Sequence, residues 1–262
     1  MNPQRWIQYF ETHHHRQADE TYDWQSPPPD AALPGIRALA ASLAIFQLGE
    51  TGGGSRLRAY ARRHASDYEQ AVELFIGEEH GHAELLRKMV LRLGGRLLEK
   101  QWSNSIFRRI RNWIGLGFNI QVLLIAELIA RGYYGLLARH APDAVIRAVC
   151  LRITRDEAGH IAFHTDFFNS RQKTGPAWLA AAWRLQFRAL FRVARLVVWW
   201  DHGHALRQCG VTRSMFWEKT GRARTAFLGG ISGLRSKSAD PDNTPVFRTM
   251  NTASGSAERA VI

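Results

Sequence analysis

The sequence contains little cysteine, and its two cysteines form no metal-binding motif. Two thiols in 262 residues cannot build a disulfide framework or a four-thiolate metal site. Nothing in the sequence requires Cys150 and Cys209 to pair, so we expect a reducing, cytoplasmic setting. The N-terminus also lacks a basic stretch followed by an apolar one, so no secretory signal is predicted.

Long apolar runs are missing as well. The best candidate, Trp113 to Ala126, has 14 uncharged residues, and these include Asn119 and Gln121. It is shorter than the roughly 20 apolar residues that a helix needs to span a bilayer. We therefore expect a protein that is soluble or peripheral to a membrane.

Acidic residues are scarce, and the shortage is concentrated in the C-terminal third. The net charge is +12, from 35 Lys and Arg against 23 Asp and Glu. From Arg171 onward there are 15 basic and 5 acidic residues, which gives +10 and leaves +2 for the first 170 residues. A partner of opposite charge would therefore meet the C-terminal third of the chain.

No segment has the pattern of a β-strand, and apolar residues recur at helical spacing instead. The sequence predicts an all-α fold with four long helices. The first starts at Pro34, a favoured first helical residue, and the second opens at Ser66 with a capping-box pattern. The third runs to about His140, and the fourth follows Pro142. We predict an N-terminal extension, a four-helix bundle, a basic amphipathic helical region and a disordered tail, over residues 1–33, 34–172, 173–232 and 233–262.

Each pair of long helices carries the same pattern of ligand-type residues on its apolar stripe. A lone glutamate is followed 29 or 30 residues later by Glu-x-x-His. The i and i+3 spacing puts that carboxylate and imidazole on one helix face. Four carboxylates that converge in a core repel one another and are costly to bury unless cations neutralise them. We therefore predict a two-metal catalytic site with the ligands Glu50, Glu79, His82, Glu127, Glu157 and His160.

Ligands of mixed oxygen and nitrogen type suit iron or manganese. Two iron ions are the first choice, and a mixed manganese–iron or a dimanganese pair is the alternative. His164 lies one turn beyond His160 and could be a further ligand, a proton donor or an ordinary core residue. The adjacent histidines His13, His14 and His15 point in different directions on a helix, which predicts a solvated run.

With these motifs the sequence resembles the ferritin-like di-iron superfamily over about residues 36–170. The resemblance is carried by GETGGG, EEHGH, AELIA and DEAGH. It implies a ferritin-like four-helix bundle with additional C-terminal helices. In oxygen-activating members an acid often precedes the ligand glutamate and hydrogen-bonds the histidine of the opposite motif, so Glu78 and Asp156 are expected to support His160 and His82. The stretch GETGGGSRLRAY is also similar to the first-ligand region of the quinone-ring hydroxylases of ubiquinone biosynthesis, whereas DEAGHIAFH departs from their pattern.

The resemblance implies a non-haem di-iron oxidoreductase that activates dioxygen to oxidise a small or lipophilic organic substrate. An external electron donor, a reductase or a ferredoxin, is expected, because two cysteines cannot form the iron domain appended to rubrerythrins. One alternative is a rubrerythrin-like protein that scavenges peroxide or handles iron. A second alternative is a non-catalytic module that binds membranes or nucleic acid.

A basic, tryptophan-rich helix is predicted after Pro176. Such a helix can lie on an anionic bilayer, so peripheral membrane contact through residues 176–200 is one hypothesis. The other is a helix packed on the bundle with its arginines in water. No recognised nucleic-acid motif is present, and no nucleic-acid partner is expected. The basic stripe of this helix consists of Arg184, Arg188, Arg192 and Arg195.

Overall fold

A computed structural model describes residues 1–18, 20–52, 54–63, 66–113, 116–171 and 177–230. Within these ranges the chain is all-helical, as predicted, and contains nine helices and no strand. The predicted disordered tail lies outside the described residues. The helices are α1 Pro3–Ala18, α2 Pro34–Glu50, α3 Ser55–Ala61, α4 Ser66–Arg92, α5 Trp102–Trp113, α6 Leu116–His140, α7 Ala144–Arg171, α8 Ala177–Gln208 and α9 Arg213–Gly230.

The four predicted long helices are α2, α4, α6 and α7. They pack chiefly as two pairs, α2 with α4 and α6 with α7, and α4 also touches α7. Their ends lie close to where turn and cap residues predict them. α2 begins at Pro34, and α4 is followed by Gly94 in the left-handed conformation, with φ +68°. The stripes of apolar residues thus face one another in a single hydrophobic core.

A buried ion pair ties the end of α4 to the start of α7. Arg92 Nη2 lies 2.9 Å from Asp143 Oδ2, and both side chains are almost fully buried. Arg92 Nη1 also donates to the carbonyl oxygen of Ser26 at 2.9 Å. Asp143 Oδ1 accepts from the backbone N–H of Ile146 at 2.9 Å, so the same carboxylate caps the first turn of α7.

The helix α6 lies in the middle of this core. Residues Gly117–His140 are long and apolar enough to cross a membrane by length and composition, although the sequence did not suggest a run of that length. Of the described helices it alone meets those criteria, and 83% of its most apolar window is buried inside the protein. Its composition is therefore accounted for by its place at the centre of the bundle.

The helix α1, in the predicted N-terminal extension, packs onto the long helices α4 and α7. It lies mainly against α4, and Trp6 and Phe10 are each only 1% exposed. The Trp6 indole N–H donates to Asp166 Oδ2 of α7 at 2.8 Å. Gly159 of α7 allows a close approach, because a Cβ there would clash with the Tyr9 hydroxyl. This contact places α1 directly beside the predicted ligands.

Two C-terminal helices complete the fold. The helix α8 packs on α2 and α6, and α9 packs on α6. Phe187 and Phe191 of α8 are fully buried, as is Phe216 of α9. The guanidinium of Arg195 lies over the Trp217 ring, 4.7 Å from its centroid. The hypothesis of a helix packed on the bundle therefore holds for this face of α8, although Arg195 of the basic stripe stacks on Trp217.

Candidate metal centre

Four of the six predicted ligands form a tight cluster between α4 and α7. The i and i+3 spacing within each helix brings a carboxylate and an imidazole to one face, and the packing of α4 on α7 joins the two faces. One ligand-type atom from each of Glu79, His82, Glu157 and His160 lies within 4.8 Å of the other three. All but Glu79 are fully buried, and the Glu79 side chain is 22% exposed. This arrangement could hold a cation.

The two lone glutamates border the same cluster. Glu50, at the last turn of α2, lies close enough to Glu79 and Glu157 for their charges to raise its pKa. Its Oε1 accepts from the Tyr134 hydroxyl at 3.3 Å. Glu127 of α6 is 6% exposed, and its charge raises the pKa of Glu157. Glu50 and Glu127 therefore border the cluster, whereas the four residues of α4 and α7 are the ones whose ligand-type atoms lie within 4.8 Å of one another.

His164 contacts one of these glutamates. Its Nε2 lies 2.9 Å from Oε1 of Glu127. Edge-to-face packing against Phe75 holds its ring, with the centroids 5.1 Å apart. His164 thus lies on the core-facing stripe of α7 and orients the carboxylate of Glu127.

Each imidazole of the cluster is held by a carboxylate from the opposite helix. His82 Nε2 lies 3.0 Å from Asp156 Oδ2, and His160 Nε2 lies 2.9 Å from Glu78 Oε2. Both rings therefore turn Nδ1 toward the cluster. This crossed pairing is the one that the family resemblance implies for Glu78 and Asp156, and it fixes the tautomer and the orientation of each ring.

His13 bridges the two supporting carboxylates, Glu78 and Asp156. Inspection of the sequence did not identify this role. His13 of α1 places Nδ1 2.8 Å from Glu78 Oε1 and Nε2 3.3 Å from Asp156 Oδ1. His13 therefore does not belong to a solvated run, whereas its neighbours His14 and His15 are exposed. No local periodicity marks His13, and only the one-per-turn recurrence of Trp6, Phe10 and His13 could have placed it on the buried face of α1.

Protonation of His13 suits this position. Burial lowers its pKa, but its hydrogen bond to Glu78 and the charges of Glu78 and Asp156 raise the pKa above its usual value. A doubly protonated ring can donate from both nitrogens, toward Glu78 and Asp156. Burial raises the pKa of Glu78, yet hydrogen bonds from His13 and His160 lower it to about 2. The network thus keeps Glu78 charged.

Buried polar atoms without partners accumulate at this site. Among the described residues, nine buried side-chain nitrogen or oxygen atoms have no hydrogen-bond partner, and five belong to the predicted ligands. Glu79 Oε1 and His160 Nδ1 lie 2.8 Å apart without hydrogen-bond geometry. Such atoms are costly to bury unless something else binds them. The five atoms are Glu79 Oε1, His82 Nδ1, Glu127 Oε2, Glu157 Oε2 and His160 Nδ1.

The protein groups alone disfavour the charged form of two of the predicted ligand carboxylates, Glu50 and Glu157. Burial raises the pKa of Glu50 well above its usual value, and the charges of Glu79 and Glu157 add to the rise. Burial likewise raises the pKa of Glu157, and His160 only partly opposes this. A bound cation would favour the charged carboxylates and occupy the unpartnered atoms. The donor set could therefore hold a metal ion through nitrogen and oxygen ligands.

An apolar cavity of about 330 Å³ reaches this cluster. Glu50, Glu79, Glu127 and Glu157 form one part of its wall, and α2, α5, α6 and α8 supply most of the rest. Such a volume is typical of a site for a small organic molecule, at roughly 300–1,000 Å³. Three residues that line the cavity are also about half exposed or more, which places an opening between α5 and α8: Trp102, Ile106 and Val193.

A buried histidine of α8 lies on the cavity wall. His202 lines the cavity, and its Nδ1 lies 2.8 Å from the Ser42 hydroxyl. Burial lowers the pKa of His202 to about 3, so the ring is neutral at ordinary pH. Its ring packs on Phe46, with centroids 4.5 Å apart. His202 could not be selected from local sequence patterns, because its partners Ser42 and Tyr133 lie on α2 and α6.

Comparison of this chain with protein-family models, with curated proteins and with solved structures gives no significant match.

Proposed function

We propose that this chain is a ferritin-like, non-haem di-iron oxidoreductase that uses dioxygen to oxidise a lipophilic organic substrate. The observation that carries the proposal is the set of five unpartnered buried atoms on predicted ligands. A structural core would satisfy those atoms with hydrogen bonds, whereas a metal centre leaves them for cations. The cavity beside the same glutamates supplies the space for a substrate.

A bound pair of irons supplies the redox chemistry that dioxygen activation needs. Glu50, Glu79, Glu127 and Glu157 would hold the ions through oxygen, and His82 and His160 through Nδ1. The chain itself fixes the rings, because Nε2–H of each histidine donates to a carboxylate, at 3.0 Å for Asp156 and 2.9 Å for Glu78. These bonds raise the basicity of the ligand nitrogens and keep the rings from rotating.

Aromatic side chains keep water from one side of the site. Phe75 packs edge-on against His160, with centroids 4.7 Å apart, and Phe163 stacks on Phe75 at 5.6 Å. Phe10 of α1 closes the group against Phe163 at 5.5 Å. In such a dry environment the charges of the cluster act more strongly on one another and on bound ions.

The chemistry of the cavity favours an apolar substrate. Its walls are built mainly from aliphatic and aromatic side chains of α2, α6 and α8, and its polar groups are few. A lipophilic molecule gains from burial there, whereas a polar one would lose hydration without replacement hydrogen bonds. Electrons would come from a separate reductase or ferredoxin. We place the reaction in the cytoplasm or at its membrane surface.

A peroxide-scavenging or iron-handling function is the second candidate. The same ligands would serve it, and an exposed route to Glu79, whose side chain is 22% accessible, favours access by small solutes. It leaves the 330 Å³ apolar cavity without a role. A non-catalytic module, the third candidate, leaves the unpartnered ligand atoms unexplained as well.

The proposal is tested by loading the purified protein with iron(II) without oxygen, then measuring iron content and the absorption and Mössbauer spectra before and after oxygen is added. We expect about two irons per chain and a spectral change that depends on oxygen. Glu79→Gln should lower the iron content. Glu84→Gln is the matched control, because Glu84 lies on the same helix, is half exposed and pairs with Arg87 instead.

Several results would contradict the proposal. One is a folded protein that takes up no iron, and another is equal loading of the two glutamine variants. Rapid oxidation by peroxide, with no reaction with oxygen and no binding of apolar molecules in the cavity, would favour the peroxidase candidate instead.

A further inference from the structure

The outer face of α8 carries a continuous apolar stripe that nothing in the described chain covers. Its members recur every three or four residues, which aligns them along one side of the helix. The stripe extends over about 33 Å at 1.5 Å per residue. Its large members are Trp178 (70% exposed), Leu185 (70%), Val193 (60%), Leu196 (51%) and Trp200 (82%), with the exposed Ala182 and Ala189 between them.

This stripe is not the apolar face that packs on the bundle. Phe187 and Phe191 point to the opposite side of α8 and are fully buried. The helix is therefore apolar on two faces, although the fold requires only one of them. A single exposed leucine needs no explanation, but an aligned row of this length is typical of a docking surface.

Positive charge borders the stripe. Arg188 and Arg192 are exposed and lie along one edge of the row, because they precede Ala189 and Val193 by one residue. The whole of α8 contains five arginines and one acidic residue, Asp201. That acid lies on the other side of the helix, where it accepts from Gln101, the residue just before α5, at 3.2 Å. The surface thus complements a negatively charged partner.

The charges also disfavour a second copy of this chain as the occupant. In a two-fold contact the same patch appears on both sides. Pairing two α8 stripes would bring two sets of Arg188 and Arg192 together without acids to neutralise them, and like charges in an interface are costly. An anionic lipid surface has the opposite charge. Tryptophans, which favour the membrane interface, stand at both ends of the stripe.

We propose that the α8 stripe docks on the surface of an anionic phospholipid bilayer. The apolar side chains would enter the boundary between headgroups and acyl chains while Arg188 and Arg192 contact lipid phosphates. The helix remains packed on the bundle through Phe187 and Phe191, so docking needs no unfolding.

The stripe is continuous with the wall of the cavity. Val193 belongs to both, and Leu190 and Val197 continue the apolar surface around α8 into the cavity. A lipophilic molecule dissolved in the bilayer would therefore have an apolar route toward the candidate metal centre. This delivery route rests on the proposed function, whereas the docking surface itself does not depend on metal.

Flotation of the full chain with vesicles tests this proposal. The vesicles consist of phosphatidylglycerol or, separately, of phosphatidylcholine, and each kind is used at low and at high salt. We expect binding to the anionic vesicles that weakens with salt. Arg188→Gln with Arg192→Gln should reduce partitioning roughly 10- to 30-fold, and Leu196→Ser with Trp200→Ser should reduce it about 10-fold or more. Leu33→Ser with Leu151→Ser is the matched control, because these leucines are each 52% exposed elsewhere.

Three results overturn the docking surface. The first is no binding of the folded chain to anionic vesicles, and the second is equal binding by the stripe variant and the control. The third is a dimer in analytical ultracentrifugation that becomes monomeric in the variant Leu196→Ser with Trp200→Ser. That result would show that the stripe binds a second copy of the chain. Retained thermal stability of the variants excludes misfolding as the cause.

Iron content of the same samples separates this proposal from the proposed function. If the chain binds vesicles but takes up no iron, the proposed enzymatic function is wrong and the docking surface is supported. If the chain takes up iron and reacts with oxygen but does not bind vesicles, the proposed function is supported and the docking surface is wrong. Loss of vesicle binding with full iron content in the stripe variant supports both.

Discussion

Replacing Glu157 by glutamine should change stability in opposite directions with and without bound metal. Glu157 is 1% exposed, its Oε2 has no hydrogen-bond partner, and burial raises its pKa well above the usual value. Without a cation its charge is therefore unfavourable in the folded state. With a cation the same charge becomes a ligand.

The structure gives the size of the effect. Ligand atoms of Glu79 and Glu157 lie within 4.8 Å, and two unit charges at that separation repel by about 3 kcal/mol at an effective dielectric constant of ~20. Partial protonation of Glu157 reduces the repulsion. Glu157→Gln should therefore stabilise the chelator-treated protein by about 1–3 kcal/mol, while the loss of a charged ligand weakens metal binding by about 10-fold or more.

The assay is urea unfolding at pH 7 of wild type and Glu157→Gln, first with chelator and then with iron(II) without oxygen. Metal that binds only the folded state adds to its stability in proportion to the logarithm of the ligand concentration over Kd. The wild type should gain more from iron than the variant does. The order of the two free energies of unfolding should consequently reverse on loading.

A variant that is less stable than wild type under both conditions, by the same amount, would refute this reasoning. It would mean that Glu157 packs or hydrogen-bonds as a structural residue. Glu84→Gln provides the baseline, because Glu84 pairs with Arg87 at the surface and its replacement should change both free energies by less than about 0.5 kcal/mol.

Three further predictions concern His13, the Arg92–Asp143 pair and His202. His13→Ala should lower the free energy of unfolding by about 1–3 kcal/mol in urea, whereas the exposed neighbour variant His14→Ala should not; equal effects would contradict the bridging role. Arg92→Met should cost about 3–5 kcal/mol by the same assay, because Asp143 is left buried and charged; a loss below 1 kcal/mol would be inconsistent with a buried pair. His202 has a pKa of about 3 in the fold against roughly 6.5 in the unfolded chain, so the unfolded state binds the proton first and stability falls as pH drops below 6.5. Relative to His202→Gln, the wild type should lose about 2 kcal/mol between pH 7 and pH 5, and parallel pH profiles would refute this.

Helix positions and ligand faces were predictable because both depend on local periodicity. Residues three or four apart share a helix face whatever the helix packs against, so the Glu-x-x-His pairs could be read as single-face units. The Pro34 start of α2 and the Ser66 start of α4 also come from local chemistry. The approach of Glu79 to Glu157 was expected on electrostatic grounds, because carboxylates on core-facing stripes are too costly to bury without compensation.

His13 and the α8 stripe could not be predicted in the same way. The contact between His13 and Glu78 joins residues 65 apart, and it depends on where α1 docks. The composition of α8 indicates an amphipathic helix but does not show which of two apolar faces the bundle covers. That choice depends on how α8 packs against other helices, where for example Phe187 meets Phe227 of α9 with ring centroids 5.0 Å apart.

The sequence by itself determined an all-helical chain, the faces of its long helices and the ligand-type residues on them, because helical spacing and the cost of buried charge act over a few residues. Tertiary structure alone decided that His13 joins the supporting carboxylates, that an apolar cavity reaches the glutamates, and that one apolar face of α8 stays exposed. These features arise where separate helices meet, and side-chain shape and volume, which periodicity does not encode, set how those helices pack.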